Sequence, residues 1–389
     1  MIAQIYTYLR KLLFLILSLS VVLIACNETV QKKKPKRERE APTYTIGVNL
    51  PLTGNGSYFA EELKKGLELS FEYINESERI FINALYEDNK LNPKDAVTIT
   101  KKFLEIDDVD LIISGYTPII KATIGLVDQH KVPMLVTLSS AGGIASPYEW
   151  AFRDFELESE VMPLLATYAY SGLDLRKGSW LVVNDDMGAD AVKFFRAKFT
   201  EEGGEMAEGE VFEASEMDLR NKINKLMANK PDFIIVIGRG SAMINACRQI
   251  RERDLEIPIM SNNTIDNETV WSALGESGDN MWFPRLHIDF ESKRYIKANR
   301  RFQEKYGRDM NWLNIYGVSI ANYLARGLRE SGGDKGSMQN FLKTLNISSL
   351  RGMLVMNESS DVVIPHIIYK RIDGNSVPVE ETRHSDESD

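Results

Sequence analysis

Side chains able to do acid–base or nucleophilic chemistry are few and scattered. Four histidines stand at 130, 287, 366 and 384. None is near another in sequence, and none sits at a predicted strand end. His130 closes a predicted helix, where the helix dipole favours a cation, so its role reads as structural. The two cysteines, Cys26 and Cys247, lack metal-type spacing. No HExxH, GxSxG or P-loop occurs. The pair Asp185-Asp186 has the residue types for a metal or for acid–base work. At a strand end the same pair caps the next helix or meets a ligand amine, and that is the reading preferred here. The acid, base, nucleophile and metal set that an enzyme requires does not assemble. The expectation is a non-enzyme with no metal and no cofactor.

Two glycine turns come closer to ligand chemistry. Gly54-Asn55-Gly56 has Phe59 where a dinucleotide fingerprint has its third Gly, and Gly238-Arg239-Gly240 has Met243 there. Without that Gly the fingerprint is weak. Backbone N–H groups at a helix start still attract negative charge. Arg239 is either a bidentate donor for carboxylate or phosphate, or a solvated surface arginine; its flanking glycines tilt it toward function. Tyr58 and Phe59 either stack on a ligand or cover a helix start. Ser139 and Ser140 either cap a helix or grip a carboxylate.

These residues must be positioned by an alternation of strands and helices. "YTIGVNL" precedes a helix with Leu63, Leu67, Phe71 and Ile74 on one face. "FINALYED", a helix from about Pro93, "DLIISG", a helix near 119–130 and "VPMLVTL" complete one α/β lobe. The pattern restarts near Glu158, with "SWLVVND", "DFIIVIG" and "IPIMS" as further strands. Strands apolar nearly throughout are covered by helices on both faces. In such sheets ligands lie beyond the carboxyl ends of strands. That rule selects six loops: 52–58, 115–118, 138–143, 184–188, 238–241 and 261–265.

The chain ends set the compartment. Arg10 and Lys11 precede an apolar run from Leu12 to Ala25. That run falls short of the roughly 20 residues of a membrane span and reads as a secretory signal. It closes on Leu23-Ile24-Ala25-Cys26, which is similar to the bacterial lipobox, whose Cys becomes the lipid-carrying first residue. Residues 26–42 are polar and highly charged, a flexible tether. Residues 373–389 are acidic, and a disordered tail is expected there. The net charge of -9 argues against nucleic acid as a partner.

From Tyr44 to about Ile372 the chain resembles the type I periplasmic binding proteins, in particular the branched-chain amino-acid (Leu/Ile/Val) substrate-binding proteins of ABC transporters. "IGVNLPLTG", "GLELSFEYIN", "YEDNKLNPKDAVTITKKFL", "VPMLVTLSS", "FRD", "PDFIIVIG" and "RGMLVMNESSDVVIPHIIYK" carry the resemblance in the family's order. It implies two doubly wound, Rossmann-like α/β lobes joined by three crossovers and closing on a ligand. The expected lobes are 43–155 with 265–350, and 156–264 with 351–372. Carried over singly, the ligand contacts are Tyr58, Thr117, Ser139, Met187, Arg239 and Asn263; Ser140 and Asp185 join them as candidates from their own chemistry. Ala141 falls where a hydroxyl commonly helps hold a carboxylate. Met187 replaces a usual tyrosine, Arg239 an aromatic, and Asn263 the acid that pairs with an amino group. Without that acid a ligand ammonium is poorly served unless Asp185 substitutes, and Arg239 favours an anionic or polar ligand. The expected protein is an extracytoplasmic, monomeric lipoprotein, anchored through Cys26, that delivers a small molecule to an ABC permease. The second reading is a non-transport sensor or cell-wall-synthase activator on the same fold.

Overall fold

The computed structural model describes residues 41–54, 56–78, 80–254 and 256–379. The expected signal segment, Cys26 and nearly all of the tether lie outside them. Among the described residues no helix is long and apolar enough to cross a membrane.

The first lobe runs β1 (Thr43–Leu50), α1 (Ser57–Ser77), β2 (Phe81–Asp88), α2 (Pro93–Glu105), β3 (Leu111–Gly115), α3 (Thr117–His130), β4 (Met134–Thr137) and β5 (Ala151–Arg153). The second runs α4 (Glu158–Thr167), β6 (Lys177–Val183), α5 (Asp186–Glu201), β7 (Glu205–Met206), β8 (Glu210–Phe212), α6 (Arg220–Ala228), β9 (Phe233–Ile237), α7 (Gly240–Arg251), β10 (Ile259–Met260), α8 (Glu268–Leu274) and β11 (Met281–Leu286). The chain then supplies α9 (Lys293–Tyr306), α10 (Trp312–Ser331), α11 (Lys335–Lys343), β12 (Asn346–Ser349), β13 (Gly352–Met356) and β14 (Val362–Val363). It ends with β15 (His366–Ile372) and β16 (Asn375–Pro378).

Local chemistry starts the helices where the sequence predicts. Asn92 accepts from Lys94 N at 2.9 Å with Pro93 in the first turn, which begins α2. Asp185 does the same for α5 through Gly188 N at 2.9 Å. Asn311 and Asn314 form a reciprocal capping box on α10.

The first sheet has strand order β2-β1-β3-β4-β5, all parallel. Its residues divide between two faces. Leu111, Ile113 and Leu135 join a core with α1 and α10. Ile112, Met134 and Val136 join a smaller core with Phe103, Ile120 and Ile124. In the second lobe β6, β9, β10 and β11 are parallel neighbours, with β7 and β8 beside β6 and antiparallel β15 and β16 on the other edge. Both lobes thus repeat one doubly wound plan, as expected.

Three boundaries differ from expectation. β11 was expected in the first lobe but pairs with β10 and β15 in the second sheet. The second crossover therefore follows Leu286 rather than residue 265. Residues 352–364, expected in the second lobe, form a separate three-stranded sheet with β12, and Leu354, Met356, Val362 and Ile364 pack into the first lobe's core. The third crossover accordingly lies between Ile364 and His366. The tail expected from 373 instead begins as a hairpin, since Asn375 to Pro378 pair with Ile372 to Tyr369. The first two differences concern long-range strand partnership, which a local pattern does not encode; the third is a local hairpin around Asp373-Gly374, a dipeptide that itself signals such a turn.

α1 and α10 pack backbone to backbone. A Cβ at Gly66 would overlap the Asn314 carbonyl, and one at Gly317 would overlap that of Leu63. Gly317→Ala is expected to cost about 1–3 kcal/mol by forcing these helices apart, measurable by urea unfolding; an unchanged midpoint would refute this packing.

Candidate functional site

A cavity of about 610 Å³ lies between the lobes. All six loops selected from the sequence contribute to it. Of the nine expected ligand residues, Tyr58, Thr117, Ser139, Ser140, Asp185, Met187, Arg239 and Asn263 line it; Ala141 does not.

The first loop is a turn closed from within. Asp88 accepts from Leu52 N at 2.8 Å, Thr53 N at 3.3 Å and Thr53 Oγ1 at 2.5 Å. These bonds tie the entry of the loop to the end of β2. Gly56 has φ 95°, which favours glycine, and its carbonyl accepts from the Tyr116 hydroxyl. The turn delivers Tyr58 and Phe59 to an aromatic wall. Tyr58 meets Phe59 edge-on at 5.5 Å, Phe59 meets Trp312 at 6.2 Å, and Trp312 meets Phe155 at 6.2 Å. Burial pushes the Tyr58 hydroxyl up to about 12, so it is present as a neutral hydrogen-bonding group.

Opposite the wall, hydroxyls gather at the ends of β3 and β4. Thr117 Oγ1 and Ser139 Oγ stand 2.9 Å apart, and Ser140 lines the cavity beside them. Buried Arg153 holds this corner by donating to the carbonyls of Ser139, Phe155 and Glu156 at 3.0–3.1 Å.

Arg239 reaches the cleft but is not free. It donates to Asp185 Oδ2 at 2.7 Å and to Met187 Sδ at 3.0 Å. The other Asp185 oxygen caps α5. Each therefore satisfies the other, and Asp185 is not a spare acid for a ligand amine. The bias toward an anionic or polar ligand expected from Arg239 is offset by its setting. Five carboxylates line the cavity, those of Glu156, Glu158, Asp185, Asp186 and Glu213, against one arginine. At the mouth, Lys121 of α3 meets Asp186 of α5 at 2.6 Å across the lobes. Both are exposed, so the pair contributes little stability.

Sequence reasoning missed the two most buried acids of the cavity lining. Glu156 and Glu158 are each 3 % exposed and lie where the chain first crosses between lobes. Glu158 Oε1 accepts from Asn262 Nδ2 at 2.8 Å, while its Oε2 has no partner. His366 Nε2, on the third crossover, stands 3.3 Å from Glu156 Oε1, and Glu156 Oε2 is also unpartnered. Burial pushes the Glu158 carboxyl up to about 7; Asn262 and Ser140 oppose the rise, Glu156 adds to it, and Arg239 opposes it. Asn263 is buried beside them with an unpartnered Nδ2. The signal available was the acidic run "ELESE" directly after "FRDF".

The chain matches the family described as "Periplasmic binding protein" over residues 43–364. It belongs to that family. Members are solute-binding proteins, not enzymes, and the two-lobe α/β fold with its interlobe cleft is the periplasmic binding protein fold. Among curated relatives, the Leu/Ile/Val-binding protein homolog 3 of Brucella melitensis is 20 % identical over 349 residues, 86 % of this chain and 93 % of that protein. Among solved structures, the leucine-binding protein LivK of Thermotoga maritima superposes with TM-score 0.79 at 20 % identity, covering 87 % of this chain and 98 % of that one. A solute-binding protein of an ABC transporter from Rhodopseudomonas palustris, in complex with 3,4-dihydroxybenzoic acid, superposes with TM-score 0.78 at 20 % identity, covering 87 % and 96 %.

Proposed function

We propose that this periplasmic binding protein is an extracytoplasmic lipoprotein that captures a small polar ligand bearing an amine between its lobes and delivers it to an ABC permease. The observation that carries the reading is that three residues lining the cleft each bury an unpartnered polar atom: Glu156 Oε2, Glu158 Oε2 and Asn263 Nδ2. Buried polar atoms are nearly always paired, so groups left unpaired around a cavity await a ligand. The two glutamates serve the ligand ammonium that neither Asn263 nor Asp185 can. Thr117, Ser139 and Ser140 receive the ligand's polar or carboxylate end, and Tyr58 stacks over its body. Closure by hinge bending at the three crossovers completes the enclosure. The relatives support a small ligand: one is named leucine-binding, and another is complexed with 3,4-dihydroxybenzoic acid. Cys26, which would carry the lipid, supports membrane anchoring by its lipobox setting.

A thermal-shift screen of amino acids, amides, amines and carboxylates tests this. A ligand at a hundred times its Kd should stabilise the folded state by about 2.7 kcal/mol. Tyr58→Ala is expected to weaken that ligand by about 2 kcal/mol, roughly thirtyfold. If only anions without an amine shift the melting temperature, the amine assignment fails. If nothing does, the transport reading fails. Cys26→Ala should release the protein from the membrane fraction.

A further inference from the structure

A second cavity, of about 470 Å³, opens in the first lobe and shares no lining residue with the cleft. It lies against the far end of α1: Tyr73 is 15 residues beyond Tyr58, roughly 22 Å along the helix axis. α9 and α10 each present a face of period i, i+3, i+4, i+7 to it. Arg294, Lys297 and Arg301 come from α9 and Arg326 from α10. No carboxylate occurs among the described lining residues.

The cations are available. Among the described residues, Arg294 and Lys297 have no carboxylate partner; they donate to Ser348 Oγ at 3.1 Å and to the Tyr73 hydroxyl at 2.8 Å. Arg301 and Arg326 reach outward to Glu76 and Glu330, exposed acids that hold them weakly. Ser319, 2 % exposed, lines the cavity with an unpartnered Oγ. Leu69, Val318, Ile347 and Leu350 supply an apolar wall. A ring of cations above an apolar pocket, with a spare buried hydroxyl, complements an anionic head on a short hydrocarbon body.

We propose that this cavity is a second ligand site, for a small amphiphilic carboxylate. The site borders the interlobe connection. Tyr323 lines it and donates to Asp154 Oδ2 at 2.8 Å, and Leu350 of its wall precedes Arg351, which grips the same carboxylate. Occupancy thus bears on residues 153–158, the first crossover.

The probes are sodium octanoate, with octan-1-ol and octylamine as chain-matched neutral and cationic controls. Calorimetry on the full chain should detect octanoate and neither control. The double variant Arg294→Gln/Lys297→Gln should weaken octanoate at least tenfold. Ala298→Phe, which fills the cavity, should abolish binding while leaving the unliganded melting temperature within the range of the surface variants. Tyr58→Ala in the cleft should leave octanoate affinity unchanged, which separates this site from the proposed solute site. Hydrogen exchange across 153–158 should slow on octanoate binding. Equal binding of octanol, no binding at millimolar octanoate, insensitivity to both cavity variants, or loss on Tyr58→Ala would each overturn the proposal; unaltered exchange would overturn its link to the crossover.

Discussion

Arg351→Ala should destabilise the protein by about 3–5 kcal/mol, the usual penalty for leaving one member of a buried ion pair alone. Arg351 has no exposed surface and grips Asp154 through two bonds of 2.6 Å each. Its guanidinium stacks on the Tyr316 ring at 4.1 Å. Asp154 also accepts from Tyr323, and neighbouring Arg153 binds Asp361 at 2.5 Å. Two arginines and two aspartates, all buried, thereby tie the first crossover to the segment that precedes the third. Truncating Arg351 strands the Asp154 carboxylate in a medium that cannot solvate it. Urea unfolding of the wild type and variant measures the loss. The double change Arg351→Met/Asp154→Leu should cost less than Arg351→Ala, because it removes the stranded charge. A single-variant loss below about 1 kcal/mol would show that water reaches Asp154 and that the network is not structural.

The second large effect has the opposite sign. Glu158→Gln should stabilise the protein above neutral pH while abolishing capture of an amine ligand. The folded-state carboxyl titrates near 7 rather than at its ordinary 4.5, because burial disfavours its charge. Between those values the folded protein holds a proton that the unfolded chain releases. Wild-type stability therefore falls as pH rises through that window, by roughly 3 kcal/mol in all. Glutamine mimics the protonated acid, keeps an acceptor for Asn262, and removes that slope. Glu156 and Arg239 face the same carboxyl and act on it with opposite signs, so both stay unaltered in the experiment. Glu160, also raised by burial, leaves a residual slope of the same sign in both proteins. Unfolding free energies at pH 5, 6.5 and 8 should converge at the acid end and diverge at the alkaline end, with the variant higher. A variant less stable than wild type at pH 8 would mean that Glu158 is ionised and well served in the unliganded cleft. Function held against stability in this way is what an unliganded binding site requires.

Much of this was readable from local pattern. Apolar runs such as "DFIIVIG" announced strands covered on both sides, and Phe233 to Ile237 are completely buried. Pro93 announced a helix start because its fixed φ suits a first helical turn. All six loops named by the rule that ligands gather beyond strand ends line the cleft. That rule could not say which polar groups there would remain free. Arg239 read as either a ligand donor or a solvated arginine, and its partner, Asp185 at 2.7 Å, lies 54 positions earlier.

The sequence by itself determined the α/β alternation, the two lobes, the loops that form the cleft and the absence of a catalytic constellation, since each depends on the type and spacing of near neighbours. Only the tertiary structure decided which sheet receives β11, where the chain crosses between lobes, and which acids line the cleft. Glu156 and Glu158 look in sequence like a solvated charged run. They come to line the cleft because the crossover that carries them is enclosed by His366, Asn262 and Asn263, residues brought close only when the chain has folded.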